Sequence, residues 1–386
     1  MKRRAPDISG SLSRLNAAAE ALGRTVRVME VCGTHTMSAF RCGLHSLMPP
    51  NVKMLSGPGC PVCVTAQGDI DLMIELATGH DVILCTYGDM LRVPGRRGSL
   101  ERARSRGADV RVIYSTLDAV ELAAEHPDRE VVFAAVGFET TAPATAAALR
   151  RARRRGVANF SVLVSHKRVV PAMLALLEGG KVNLDGFLCP GHVSVIIGSE
   201  AYRPIVDRFR MPCVIAGFED IQMAASLTCL VEQVRAGRPE LVNHYPEAVT
   251  SAGNGVALAL LDEVFEPIDA RWRGLVSIPR SGLGLRGPFQ AFDARRRFGL
   301  STPPDREPGG CLCGPVITGL ATPPDCTLFG TACTPVNPIG PCMVSSEGTC
   351  QAWFKYGKGR RHQRATKRRR DPGRVGTGSA TKEVPV

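Results

Sequence analysis

Between residues 26 and 218, short runs rich in Val and Ile recur, each followed by a loop containing Gly or Pro and then by a stretch with helical spacing. The runs VRVMEV (26–31), VKMLSG (52–57), DVILCT (81–86), VRVIYS (110–115), VVFAAVG (131–137), FSVLVS (160–165), DGFLCP (185–190) and CVIAGF (213–218) predict eight strands. Their apolar character is continuous rather than alternating, as expected of parallel sheets covered by helices on both faces. The expected fold class is therefore α/β, with two doubly wound, Rossmann-like parallel-sheet units of four strands each. Their boundary is expected near Glu125–Asp128, where the helical stretch LDAVELAAEHP runs into Pro127. Residues 1–25 then form an N-terminal helical segment, 26–126 the first α/β domain and 127–265 the second.

Past residue 266 the pattern changes. Gly and Pro become dense, the helical period fades, and six of the fourteen cysteines fall between Cys311 and Cys350. With so little periodic apolar content, residues 266–356 need another organiser, and a metal centre supplies one because ligand bonds can substitute for a large core.

Charge alters the picture only at the end of the chain. The formal net charge is +12, but residues 358–386 hold ten Lys/Arg against Asp371 and Glu383 and so contribute +8. That stretch lacks an apolar period and reads as a basic, disordered tail (357–386) in water rather than as a specific nucleic-acid site. Apolar runs such as VVFAAVG are far short of the roughly 20 residues that cross a bilayer, and no N-terminal segment has the features of a secretory signal. The expected location is the cytoplasm, where structural disulfides are disfavoured and cysteines point to metal or redox chemistry.

Ligands of open α/β sheets collect at the carboxyl ends of the strands. After the predicted first strand stand Cys32, Thr34, His35 and Thr36, and after the second Cys60 and Cys63. Glu139, Thr140 and Thr141 follow the fifth, Cys189 and His192 the seventh, and Glu219 and Asp220 the eighth. Thiols, imidazoles and carboxylates are thus expected on one edge of two sheets, facing a shared cleft. Singly each has an ordinary reading: Cys42, Cys85, Cys213 and Cys229 as small buried apolar residues, and Glu139 as a cap on the helix opening at Thr140. Their co-location gives them weight.

The CPVC spacing lets Cys60 and Cys63 meet within one turn, so the pair can close a disulfide or share a metal, with Cys32 and His35 completing a zinc set. Pro61 inside the pair and a third thiol at Cys32 favour thiol exchange. Farther on, Cys313, Cys326, Cys333 and Cys350 are separated by twelve, six and sixteen residues. Those gaps suit a 4Fe-4S cluster better than a zinc ribbon, with Cys311 the rival of Cys313 and Cys342 a spare. The string GLGLRG (282–287) matches a dinucleotide fingerprint, but Pro288 follows and no strand-to-helix unit surrounds it, so it reads as a loop.

Together MEVCGTHT, GPGCPVCVT, GDMLRVPG, GFETTAPAT, PGHVSVIIG and CTPVNPIGPCMVSSEGTCQAW resemble the HypD family of hydrogenase maturation factors over residues 26–356. The resemblance implies a scaffold on which the Fe(CN)2CO moiety of nickel-iron hydrogenases is assembled, in complex with a HypC-type small chaperone and with cyanide delivered by a HypE-type donor. It further implies that Cys32 is a thiolate ligand of that transient iron, that Cys60 and Cys63 are a redox dithiol, and that Cys313, Cys326, Cys333 and Cys350 hold a 4Fe-4S cluster. His35, His192 and Glu347 fall where the family keeps polar groups near the thiols. A cytoplasmic iron-sulfur thiol-disulfide oxidoreductase is the alternative reading. The passage from Glu219 straight to Asp220 is shorter than in many family members, and the basic extension after Tyr356 lies outside the family core.

Overall fold

A computed structural model describes residues 8–275 and 277–357; of the predicted basic tail, all but Gly357 lies outside them. The protein is α/β. All eight predicted strands form, as β1 (Val26–Glu30), β2 (Val52–Ser56), β3 (Val82–Thr86), β4 (Val110–Val112), β5 (Glu130–Gly137), β6 (Phe160–His166), β7 (Gly186–Pro190) and β8 (Cys213–Ala216). A ninth, β9 (Leu241–Asn243), joins them. It is only three residues long and partly exposed, too short for its sequence LVN to show a period.

The strands are not divided in sequence order. One sheet runs β2-β1-β7-β8-β9 and the other β4-β3-β5-β6, each parallel throughout. The expected boundary near Glu125–Asp128 therefore separates nothing: it lies between β4 and β5, which belong to the same sheet. The unit β3 to β6 is inserted between β2 and β7 of the other. Local periodicity predicts strands but not their partners, because a strand apolar on both faces can pair with any other.

Both sheets reverse strand order, at β1/β7 and at β3/β5, and these switch points open crevices at the carboxyl ends of the strands. The faces of the strands sort by alternation. Met29 and Val31, with Leu84 and Val132, enter a central core shared by the two sheets, whereas Val26 and Val28 pack outward with the helices Ile8–Leu22 and Asp220–Ala236. Ile83, Cys85 and Phe133 face a third core on the far side of the inserted sheet.

The remaining segment begins as an antiparallel hairpin, β10 (Phe265–Arg271) and β11 (Ser277–Leu285). The decoy GLGLRG is not the expected loop: Gly282 and Gly284 lie in β11, and a Cβ on Gly282 would stand 2.7 Å from that of Ala270 across the hairpin. Arg273, in the connection between the two strands, is fully buried; its backbone N–H donates to Val64 O at 2.9 Å, and its guanidinium reaches Gln67 and Glu307. Gly274 packs on Gly314, where a Cβ would fall 2.5 Å from the facing Cα. The third segment is thereby clamped to the chain just after CPVC.

A second clamp is ionic. Asp69, buried, accepts from Arg295 at 2.9 Å and lies 3.7 Å from the buried Lys167. The two cations hold the Asp69 carboxyl below its usual range despite its burial, and burial lowers Lys167. Removing one partner of such a group leaves the others charged and unpaired in the interior. Asp69→Asn is expected to lower the unfolding free energy by about 3 kcal/mol, read as a shift of the urea midpoint.

Candidate functional site

The site is built where β1, β2 and β8 end. Cys32 is the N-terminal cap of the helix Gly33–Arg41, in extended backbone (φ −153°, ψ 121°), so its sulfur stands where helix amides emerge. Behind it lies a buried carboxylate. Glu30 accepts the Cys32 backbone N–H at 3.0 Å and the Thr36 hydroxyl, and burial pushes its carboxyl up to about 8. Burial, reinforced by the Glu347 and Glu30 carboxylates, pushes the Cys32 thiol up to about 12 against the opposing pull of the His35 amide. The free thiol therefore keeps its proton, and a soft cation that binds there must displace it.

The other groups expected around Cys32 are close at hand. Thr34 Oγ1 donates to Glu347 Oε1 at 2.6 Å, and a Cβ on Gly33 would fall 2.5 Å from that of Glu347, so the glycine admits the late segment to the cleft. His35 is fully buried. Its Nε2 lies 3.2 Å from Ala216 O and 3.0 Å from Gly217 O, its Nδ1 has no partner, and burial lowers the imidazole to about 4. Phe218 contacts His35 on one side (ring centroids 4.9 Å apart) and stacks on His192 on the other (3.9 Å). With its Nε2 on main-chain carbonyls, His35 has only Nδ1 left to meet a ligand.

The CPVC stretch forms a single turn, Pro61–Val64, with Pro61 at its first position, where a missing N–H costs nothing. Cys60 caps it: the Cys63 N–H donates to Cys60 Sγ at 3.2 Å. Both are buried, Cys63 completely. Cys342, the expected spare, has the thiols of Cys63, Cys313 and Cys350 as neighbours, so a run of sulfurs connects CPVC to the late cysteines.

Those cysteines surround one tight cavity of about 10 Å³, lined by Cys311, Cys313, Cys326, Cys333, Cys342 and Cys350. Among the described residues no three His, Cys, Asp or Glu side chains converge on a point that would hold a single metal ion. A cubane cluster demands a different arrangement, with thiolates spaced around a volume and backbone amides free to approach the sulfurs. The donor set fits: the Ile339 N–H donates to Cys333 Sγ at 3.3 Å, and Cys311 senses the charges of Cys326 and Cys333. Cys313 is buried beside Cys342.

Several expected residues lie elsewhere. Glu139 does not cap the helix after Thr140; Thr141 begins that helix, and the buried Glu139 carboxylate accepts the Val169 N–H at 3.1 and 3.2 Å, capping the helix Val169–Glu178. Burial pushes it up to about 7. Cys189 is in the core beside Cys213, and Glu219 and Asp220 are exposed at the start of the helix Asp220–Ala236. Cys85 and Cys213 are buried as expected, whereas Cys42 is exposed. Glu30, Asp89 and Ser345 contribute to the site without having been singled out. The signal for Asp89 was its place just after β3, a strand end as eligible as the others.

The family model described as HypD, hydrogenase formation hypA family, matches residues 8–357. The hydrogenase maturation factor HypD of Azotobacter vinelandii is 48% identical over 344 residues, covering 87% of this chain and 91% of that protein. That of Escherichia coli K12 is 45% identical over 345 residues (89% and 92%), and that of Rhodobacter capsulatus 44% over 360 (91% and 96%). The fold and the thiol-lined cleft thus belong to a hydrogenase maturation factor. The chain is a member of the HypD family. Among the described residues no helix is long and apolar enough to cross a membrane.

The buried Glu30 carboxyl yields a pH prediction. Its folded value, about 8, exceeds the unfolded 4.5, so the folded state holds the extra proton between these values. Its contribution is full below the lower value and is lost as pH rises through the upper one. Glu30→Gln, which cannot ionise, is expected to gain stability relative to the parent as pH rises from 4.5 to 8, measured as urea midpoints across that range.

Proposed function

We propose that this chain is the cytoplasmic scaffold on which the Fe(CN)2CO moiety of a nickel-iron hydrogenase is put together. Cys32 holds the iron, a HypC-type small chaperone shares it, and a HypE-type donor delivers cyanide. The observation that carries the reading is the packing of Gly59 against the Cys32 backbone, which sets the CPVC turn beside the candidate iron ligand. Low-spin iron bearing cyanide and carbonyl is a soft acid, and thiolate is the soft donor this cleft offers. His35, His192 and Glu347 surround that position. His35, lowered to about 4 by burial, is neutral and adds no positive charge near an anionic cargo.

Cys60 and Cys63 act as a dithiol that gains or loses two electrons as its S–S bond opens or closes. A 4Fe-4S cluster held by Cys326, Cys333, Cys350 and one of the Cys311/Cys313 pair would supply electrons singly. Both Cys311 and Cys313 line the cavity with these three. The alternative, an iron-sulfur thiol-disulfide oxidoreductase with a diffusible substrate, uses the same thiols but gives Cys32 no iron to hold.

Three measurements test these readings. Protein purified without oxygen is expected to be brown, with about four irons and four sulfides per chain, and its complex with the HypC-type chaperone to show infrared bands of iron-bound cyanide and carbonyl that disappear in Cys32→Ala. Bands that persist unchanged in the variant remove Cys32 as the ligand; a brown complex without bands favours the oxidoreductase. Cys60→Ala and Cys63→Ala are expected to abolish hydrogenase maturation in a strain lacking its own copy, and full maturation by either would refute the dithiol.

A further inference from the structure

The buried dithiol has a polar connection to the surface that its redox role does not by itself require. Cys60 S–H lies 3.3 Å from Ser345 Oγ, inside the protein. Ser345 Oγ also accepts the Glu347 N–H at 3.2 Å and stands 3.2 Å from Asp89 Oδ2. A serine hydroxyl has two lone pairs and one hydrogen. With Cys60 and Glu347 as donors on the oxygen, the hydrogen points at Asp89, and every hydrogen bond in the chain has a fixed direction. Asp89 is held in turn: the same Oδ2 accepts the Ser346 N–H at 2.9 Å and the Ser346 hydroxyl at 3.0 Å. It is half-buried, so the chain runs from an enclosed sulfur to a carboxylate that water reaches.

The three residues come from three parts of the fold. Cys60 follows β2 of the first sheet, Asp89 follows β3 of the inserted sheet, and Ser345 lies between the late cysteines Cys342 and Cys350. The other titratable groups around Cys60 are Cys63 on its own turn, Cys342 on the turn Pro341–Val344, Cys32 across Gly59, and Glu347. Of these groups only Asp89 is joined to the Cys60 sulfur through a hydroxyl that can both give and take a proton.

We propose that Ser345 and Asp89 are positioning residues that hold the Cys60 proton and pass it between sulfur and solvent as the dithiol opens and closes. This rests on the dithiol reading above and extends it to the path of the proton. When a dithiol reductant opens the disulfide, its thiolate attacks Cys63 Sγ, the Cys60–Cys63 bond breaks and Cys60 leaves with the electron pair. Cys60 takes its proton from the Ser345 hydroxyl, which is resupplied through Asp89 from water; the reductant's second thiol then closes its own disulfide, releasing Cys63 as a thiol. Closing the pair reverses each transfer. Asp89 accepts the Ser345 hydrogen, so the serine oxygen is left to accept the Cys60 S–H.

The test is the rate at which iodoacetamide alkylates Cys60 in the fully reduced, full-length protein at neutral pH, read by mass spectrometry with the exposed Cys42 as internal standard. Asp89→Asn supplies an amide that donates to Ser345, freeing the serine hydrogen to turn toward a Cys60 thiolate; alkylation is expected to rise about tenfold, the worth of one hydrogen bond to a charged group. In a Ser345→Ala background the same Asp89 change is expected to have no effect, whereas Ser345→Thr preserves it. An Asp89→Asn effect of equal size with Ala at 345, or no effect with Ser there, overturns the proposal. Should Ser345→Ala fail to fold, judged by altered Cys42 labelling, the comparison of Asp89→Asn with Ser and with Thr at 345 decides it: loss of the effect with Thr refutes the relay. Titration of Cys60–Cys63 disulfide formation against a glutathione gradient is read separately, so failure of the dithiol and failure of the relay give different results.

Discussion

The cleft depends on one close approach between two stretches of backbone. Gly59 lies against Val31 and Cys32, where a Cβ would fall 2.6 Å from Cys32 Cα and nearer still to its nitrogen. Its carbonyl accepts the Gly33 N–H at 3.2 Å, and the Gly57 N–H donates to Glu30 O at 2.7 Å. No other residue permits this contact, because any side chain here would meet main-chain atoms that cannot rotate aside. Given the contact, the ends of β1 and β2 are fixed relative to each other, and the thiols they carry share one wall.

Around that wall the protein places groups at odds with a buried setting. Glu30 and Cys32 hold their protons because water is excluded, while His35 loses its own for the same reason. The result is a cleft whose innermost groups are held uncharged, beside a cluster of thiols. Such an interior is costly to assemble from one domain, and here three segments share it: two sheets contribute their carboxyl ends, and the late segment closes it with Glu347 and the cysteines.

Much of this was legible in the sequence. Continuous Val/Ile runs located eight strands, and the rule that ligands gather at strand ends brought Cys32, Cys60, Cys63 and His192 to one edge. Pairing was not legible, since β7 and β8 carry the same kind of apolar run as β5 and β6, and nothing local says which sheet each joins. Hydrogen-bond partners were equally hidden. Glu139 capping the helix at Val169, and Cys342 joining Cys63, are contacts between residues far apart in the chain, set by how helices and turns pack rather than by neighbours. The late cysteines were recognisable as a group, but the approach of Cys342 to Cys63 needed the fold.

The insertion of β3 to β6 between β2 and β7 also orders the birth of the molecule. As the chain is synthesised, β1 and β2 emerge early but lack their inner neighbour until Gly186–Pro190 appears, by which time the inserted sheet has all its strands. The inserted sheet can pair first, from contacts nearer in sequence, and the sheet bearing Cys32 and CPVC completes only afterwards. The segment that walls in those thiols is made last. Until then they stand open to solvent and to oxidants, which makes the interval between synthesis and closure the period of greatest chemical vulnerability for this protein.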